Sequence, residues 1–165
     1  MAIAYLCLGS NVGDKLSYVQ QAVKLLTESS MVTVVRSSAF YETEPWGNKK
    51  LDWFVNAVIE IKTSLTAQEL LDLCNKTEAF LGRTRDLKNG YQDRTIDIDI
   101  LFFGKEVIET STLTIPHKFV HLRAFNLVPM LELNPNYVHP VLQKNILELH
   151  ENLENPEMVV LYGTR

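Results

Sequence analysis

The sequence predicts an α+β fold, a ferredoxin-like sandwich: an antiparallel sheet with helices packed on it and additions at the C-terminus. Two observations carry this. Apolar residues switch between alternation and three-to-four-residue steps in the order strand, helix, strand, strand, helix, strand. The 165 residues, 46% hydrophobic and 22% charged, have an ordinary globular composition with no repeat, low-complexity run or linker. One domain over residues 1–165 is therefore expected.

Each element has its own signal. Segment 3–8 is a short apolar run ended by Gly9, a buried strand. Gly9-Ser10-Asn11-Val12-Gly13-Asp14 is turn chemistry that leads into a helix with Leu16, Val19, Val23 and Leu26 on one face. Residues 31–41, rich in Val, Ser, Phe and Tyr, read as one strand, and Pro45 and Gly47 open a polar loop through Lys50. Over 53–63, Val55, Ala57, Ile59 and Ile61 alternate with Phe54, Asn56, Val58, Glu60 and Lys62, the period of a strand. Thr66 and Glu69 form a capping box ahead of a helix that carries Leu70, Leu73, Thr77 and Phe80. Residues 82–94 are polar, hold four basic residues and are long for a connection inside a domain, a length usual for functional or disordered loops. Ile96 to Phe103 is the strongest strand in the chain. Beyond Gly104 come short strands near 106–108 and 113–115, a helix over about 121–132 and, after Pro135 and Pro140, a helix near 143–150. From 141 onward no site residue is evident, and that stretch is expected to pack on the sheet or a partner.

Composition excludes several function classes. Sixteen Lys and Arg against twenty Asp and Glu give a net charge of -4, which argues against broad nucleic-acid binding. No apolar stretch reaches the roughly 20 residues that cross a bilayer, and Met1 to Leu8 lacks the basic start of a signal peptide. Cys7 and Cys74 lie far apart in apolar patterns and read as two buried thiols in a reducing compartment. A cytoplasmic protein is expected.

The sharpest chemical feature is Ile96-Asp97-Ile98-Asp99-Ile100. Strand alternation puts both carboxylates on one face, roughly 7 Å apart, where they repel unless a cation joins them. A hard divalent ion with oxygen ligands, most simply Mg²⁺ bringing phosphates, satisfies such a pair; a solvent-facing edge that discourages aggregation is the plainer alternative. Arg94 precedes the strand, and Arg83 and Arg85 lie at the far end of the loop, so three guanidinium groups bracket the carboxylates as a polyphosphate site requires. Phe54 and Asn56 share a strand face near Tyr41-Glu42-Thr43-Glu44-Pro45-Trp46-Gly47, a pairing of aromatic ring and amide that suits a flat heteroaromatic ligand, although aromatic positions in strands are more often core. His117 and His121 are four apart, but no third zinc ligand is near them; His117 after Pro116 is better placed as a loop donor to phosphate. His139 and His150 read as structural. There is no Gly-x-Ser-x-Gly and no base beside either cysteine.

These residues converge on a family. The chain resembles the 6-hydroxymethyl-7,8-dihydropterin pyrophosphokinases over nearly its whole length, up to about residue 140. The resemblance runs through Ala4-Tyr5, Leu8-Gly9-Ser10-Asn11, Tyr41-x-Thr43-x-Pro45-x-Gly47 and Phe54-x-Asn56. It continues through Glu78, Gly82-Arg83-x-Arg85, Arg94-Thr95-x-Asp97-x-Asp99, Phe103-Gly104, Pro116-His117 and Arg123-x-Phe125-x-Leu127-x-Pro129. It departs at Tyr91-Gln92-Asp93, where members commonly carry Trp-Gly-Pro, and at Lys118 and Trp46.

The resemblance implies pyrophosphate transfer from ATP to the pterin's hydroxymethyl oxygen, with release of AMP, in folate biosynthesis. By the same likeness Asp97 and Asp99 hold two Mg²⁺ ions, and Arg83 and Arg94 contact the transferring phosphates. Arg85, His117 and Arg123 are further triphosphate donors, while Glu78, Ile100 and Thr114 belong to the nucleotide site. Asn56 and the backbone of Thr43, Glu44, Pro45 and Trp46 read the pterin edge, and Phe54 and Phe125 sandwich its ring. The partners expected are ATP and a dihydropterin, with no nucleic acid or membrane, and the chain is expected to be a monomer. Two rivals remain: a ferredoxin-like RNA-binding module, disfavoured by charge and by the missing aromatic strand motif, and a metal-dependent nucleotide hydrolase that would break ATP without a pterin.

Overall fold

A computed structural model describes residues 1–82 and 94–165. The first strand, β1 (Ala2–Ser10), lies inside the sheet, so Ala4 through Ser10 are buried on both faces. Helix α1 (Lys15–Glu28) starts at Asp14, whose carboxylate accepts from Ser17 N at 3.2 Å and satisfies one of the donors that a helix start leaves open. β2 (Val32–Ser37), β3 (Tyr41–Thr43) and β4 (Phe54–Thr63) follow. Helix α2 (Ala67–Phe80) opens on the expected capping box: Glu69 N donates to Thr66 Oγ1 at 3.2 Å and Thr66 N to Glu69 Oε1 at 2.9 Å. β5 (Asp97–Phe103) completes the core unit.

The sheet runs β5-β1-β4-β3, with β2 paired to the far half of β4, and every neighbouring pair is antiparallel. The stretch expected as one strand over 31–41 is two. At Ser38 the hydroxyl accepts from Val58 N at 2.9 Å, and Ala39 N then donates to Glu132 rather than to β4. Ser38 N still donates to Val58 O at 2.9 Å; the chain leaves β4 after it and rejoins at Tyr41 opposite Asn56.

Both faces of the sheet are covered. Leu6, Leu8, Ile59, Ile61, Ile98 and Ile100 meet Val19, Leu26, Leu70 and Cys74 of α1 and α2. Tyr5, Cys7, Val58 and Phe102 meet the C-terminal additions on the other side. Those additions are a ribbon of β6 (Ile108–Glu109) and β7 (Thr114–Ile115), a 3₁₀ turn (Val120–Leu122), α3 (Ala124–Leu133), α4 (Ile146–Glu151) and β8 (Val159–Leu161). The helix expected from 121 begins at Ala124, because Arg123 before it is extended (φ -117°, ψ 110°). The tail, expected only to pack, adds β8 to the edge of the sheet beside β3.

Candidate active site

The site is built where β5 meets β1. Gly9 stands between Asn56 on β4 and Asp97 on β5, and Cys7 between Val58 and Asp99, so both carboxylates share a face with Asn56. Gly9 matters for its missing side chain: a Cβ there would lie 2.0 Å from Asn56 Oδ1 and 3.6 Å from the Phe54 ring. Asn56 is 4% exposed, and its Nδ2 donates to Thr43 Oγ1 at 2.6 Å, which fixes the amide. A cleft of about 430 Å³ opens over this floor, lined by Thr43, Glu44, Trp46, Phe54, Asn56 and Phe125. Of the residues expected to meet the ring, Pro45 alone lies outside the lining, buried beneath the turn. Glu44 Oε1 accepts from Met158 N at 2.6 Å, so its carboxylate engages the tail.

A second cleft, of about 1080 Å³, lies on the other side of the carboxylates. It collects Glu78, Asp99, Ile100, Thr114 and His117, residues scattered over 40 positions of sequence. Arg94, Asp97 and Arg123 line both clefts. Arg83, Arg85 and Tyr91-Gln92-Asp93 lie outside the described residues.

Charge is dense at the seam. Arg94 Nη1 lies 3.0 Å from Asp97 Oδ2, and Arg123 Nη1 lies 3.8 Å from Asp99 Oδ2. Asp99 keeps a quarter of its side chain exposed, yet burial, reinforced by the Asp97 carboxylate, pushes its pKa up to about 7. Burial and the Arg123 charge lower His117 to about 4, so its ring is neutral near pH 7. His117 Nδ1 accepts from Phe119 N at 3.1 Å, an arrangement that assigns the ring proton to Nε2, 3.7 Å from Asp99. A β-bulge sets this up. Leu101 is the extra residue of β5 in its pairing with β1, and its carbonyl accepts from His117 N at 2.9 Å.

Three supporting residues were not legible as such. Asn11, read as part of a turn, is 2% exposed and binds Arg94 through two hydrogen bonds. Glu78 lines the second cleft, but its Oε2 also accepts from Ile98 N at 2.8 Å and pins β5 between the two carboxylates. Phe119 joins Trp46 and Phe125 around Arg123, which is 5% exposed; its guanidinium lies 4.6 Å from the Trp46 ring and 5.2 Å from each phenyl ring. His121 faces His139, with ring centroids 6.3 Å apart, rather than His117.

Among the described residues no group of three His, Cys, Asp or Glu side chains is placed to hold a metal ion. Asp97 and Asp99 alone nonetheless suit a hard cation, with two repelling carboxylates on one face opening into a roomy polar cleft. Phosphate oxygens and water would complete its coordination.

The family model for 7,8-dihydro-6-hydroxymethylpterin-pyrophosphokinase (HPPK) matches residues 5–135. A 2-amino-4-hydroxy-6-hydroxymethyldihydropteridine pyrophosphokinase of Aquifex aeolicus is 42% identical over 98% of this chain and 99% of its own length. The chain belongs to the HPPK family.

The protein of the same name from Bacillus subtilis is 47% identical over 79% of this chain and 77% of its own. In structure, the Plasmodium falciparum HPPK-DHPS wild type with pteroate superposes with a TM-score of 0.70 at 17% identity, over 91% of this chain. That likeness shows the α+β fold; the chain spans 42% of that longer protein. As an HPPK the chain is an enzyme, a pyrophosphokinase of folate biosynthesis. No helix among its described residues is long and apolar enough to cross a membrane.

Proposed function

We propose that this HPPK carries pyrophosphoryl transfer from ATP to 6-hydroxymethyl-7,8-dihydropterin at the seam between its two clefts. The observation that carries the assignment is that Arg94, Asp97 and Arg123 line both. A donor in one cleft and an acceptor in the other meet beside the same three side chains, the juxtaposition that a two-substrate transfer needs. The smaller cleft takes the pterin: Phe54 and Phe125 stack on its faces, while Asn56 and the Thr43–Trp46 backbone read its edge. The larger, polar cleft takes ATP beside Glu78, Ile100, Thr114 and His117.

The reaction forms a bond from the hydroxymethyl oxygen to the β-phosphorus and breaks the bond from that phosphorus to the oxygen bridging the α-phosphate. AMP departs with the electron pair, and the hydroxyl proton passes to Asp97, the carboxylate that lines both clefts, and then to solvent. Arg94, held by Asn11 and Asp97, presents fixed positive charge to the transferring group, and Arg123 does so from its aromatic surround. Neutral His117 donates through Nε2. Arg83 and Arg85 are proposed as further phosphate donors. Asp97 and Asp99 would hold two Mg²⁺ ions, which when bound neutralise phosphate charge and acidify the hydroxyl. Free, buried Cys7 and Cys74 support a reducing, cytoplasmic setting, and a monomer acting on small molecules rather than nucleic acid fits the net charge of -4.

The test is to incubate the protein with Mg-ATP, with and without the pterin, and separate the nucleotides. AMP formed only with the pterin, and lost on chelation, is expected. ADP, or breakdown without the pterin, would replace the proposal with another phosphoryl chemistry.

A further inference from the structure

The tail, which carries none of the family motifs, reaches both walls of the smaller cleft. Helix α3 begins at Ala124 with no side-chain cap from Arg123 and no acidic residue in its first turn. Its start is closed from elsewhere. Glu157 accepts from Ala124 N through Oε1 and from Phe125 N through Oε2, both at 3.1 Å, across more than thirty residues of sequence. A carboxylate there satisfies two donors that a helix start leaves open and sits at the positive end of the helix dipole. The next residue turns to the opposite wall. Met158 N donates to Glu44 Oε1 at 2.6 Å, and Met158 O accepts from Glu44 N at 3.0 Å. β8 then continues along β3, with Val159 opposite Thr43.

We infer that Glu157 is a positioning residue for the pterin, and that Glu157-Met158 is a staple setting the separation of the two walls of its cleft. One wall carries Arg123 and Phe125 and the other Thr43, Glu44 and Trp46. Adjacent residues of one extended segment bind the backbone of each, so the walls cannot separate without breaking these bonds. The inference rests on the pterin reading of that cleft. The ATP cleft, bounded by α2 and β5–β7, shares only Arg123 with the stapled wall, and Arg123 is also held by its aromatic surround, so ATP affinity depends on the staple less than pterin affinity does.

The experiment replaces Glu157 in the full chain by Gln, which keeps one acceptor oxygen, and by Ala, which keeps none. Pterin KM and kcat are measured together with the affinity for a non-hydrolysable ATP analogue and amide exchange at Ala124 and Phe125. Glu157→Ala is expected to raise pterin KM roughly ten-fold, the equivalent of about 1.4 kcal/mol, with a clearly smaller loss of ATP-analogue affinity and faster exchange at the two amides. Glu157→Gln should recover part of the loss, and it carries the test alone if the Ala variant does not fold. Unchanged pterin KM in a variant whose amides exchange faster would overturn the inference. So would pterin and analogue affinities falling by the same factor, the mark of a general loss of structure. Failure of the unaltered protein to bind the pterin would instead overturn the reading of the cleft.

Discussion

Asn11 grips Arg94 by both of its backbone polar groups. Asn11 Oδ1 accepts from Arg94 N at 2.8 Å, and Asn11 N donates to Arg94 O at 3.2 Å, across 83 residues of sequence. Asn11 Nδ2 also donates to Asp52 O at 3.2 Å, so one buried amide ties the turn after β1 to the loop before β4 and to the approach to β5. Asn11→Ala removes the side-chain bonds and leaves Arg94 less well placed at the seam. A fall in kcat of roughly ten-fold or more is expected, from the 1–3 kcal/mol attached to an abandoned buried partner, with a smaller change in pterin KM. Steady-state kinetics with each substrate varied check the split.

Gly9 is expected to be intolerant for a reason local to the pterin. In Gly9→Ala the new methyl would crowd Asn56 Oδ1 at 2.0 Å, while Thr43 Oγ1 holds the other end of that amide. The amide must turn, so pterin affinity should fall by ten-fold or more, about 1.4 kcal/mol or greater, while ATP-analogue affinity holds. Parallel titrations with the two ligands measure this; equal losses would show a wider collapse.

Asp97→Asn and Asp99→Asn each remove one charge from the proposed cation site. Either should lower turnover on the order of 10²–10³-fold and raise the Mg²⁺ concentration needed for half-maximal rate. Each substitution relieves the repulsion between the carboxylates but gives up an ion pair, Asp97 with Arg94 or Asp99 with Arg123, so the melting temperature without metal should change little while the gain on adding Mg²⁺ is lost. Thermal melts with and without Mg²⁺ separate the two effects.

His139 makes stability depend on pH in a defined window. It is buried, its Nδ1 accepts from Val141 N and Leu142 N, and burial together with nearby His121 lowers its pKa from 6.5 to about 4. Above pH 6.5 the ring is neutral folded and unfolded, and the full stability is present. As pH falls from 6.5 towards 4 the unfolded chain takes up a proton that the folded chain refuses, so stability declines. His139→Asn keeps an acceptor near Nδ1 and cannot titrate, so its melting temperature should fall less steeply between pH 6.5 and 4 than the parent's. Melting curves across that range provide the check.

Much of the fold was legible because short-range geometry writes it. Strand alternation placed Asp97 and Asp99 on one face and Ile98 and Ile100 on the other, and the Thr66–Glu69 box marked the start of α2 to the residue. The readings that shifted did so where distant groups intervene. Residues 31–41 keep their β-forming composition throughout, yet Ser38 and Glu132 divert the chain between β2 and β3. Arg123 stays extended and delays α3, enclosed by three aromatic rings from separate segments.

By itself the sequence determined the alternation of strands and helices through β5, the carboxylate pair and, through its motifs, the family, since each depends on residue identity at fixed short spacing. The tertiary structure alone decided that Asn11 would hold Arg94, that Leu101 would bulge to seat His117, and that Glu157 would close α3 while Met158 held Glu44. These are pairings of backbone groups with partners 16 to 114 residues away. A backbone amide is the same at every position, so no side-chain pattern announces which one a distant partner will meet until sheet register and helix packing have brought them together.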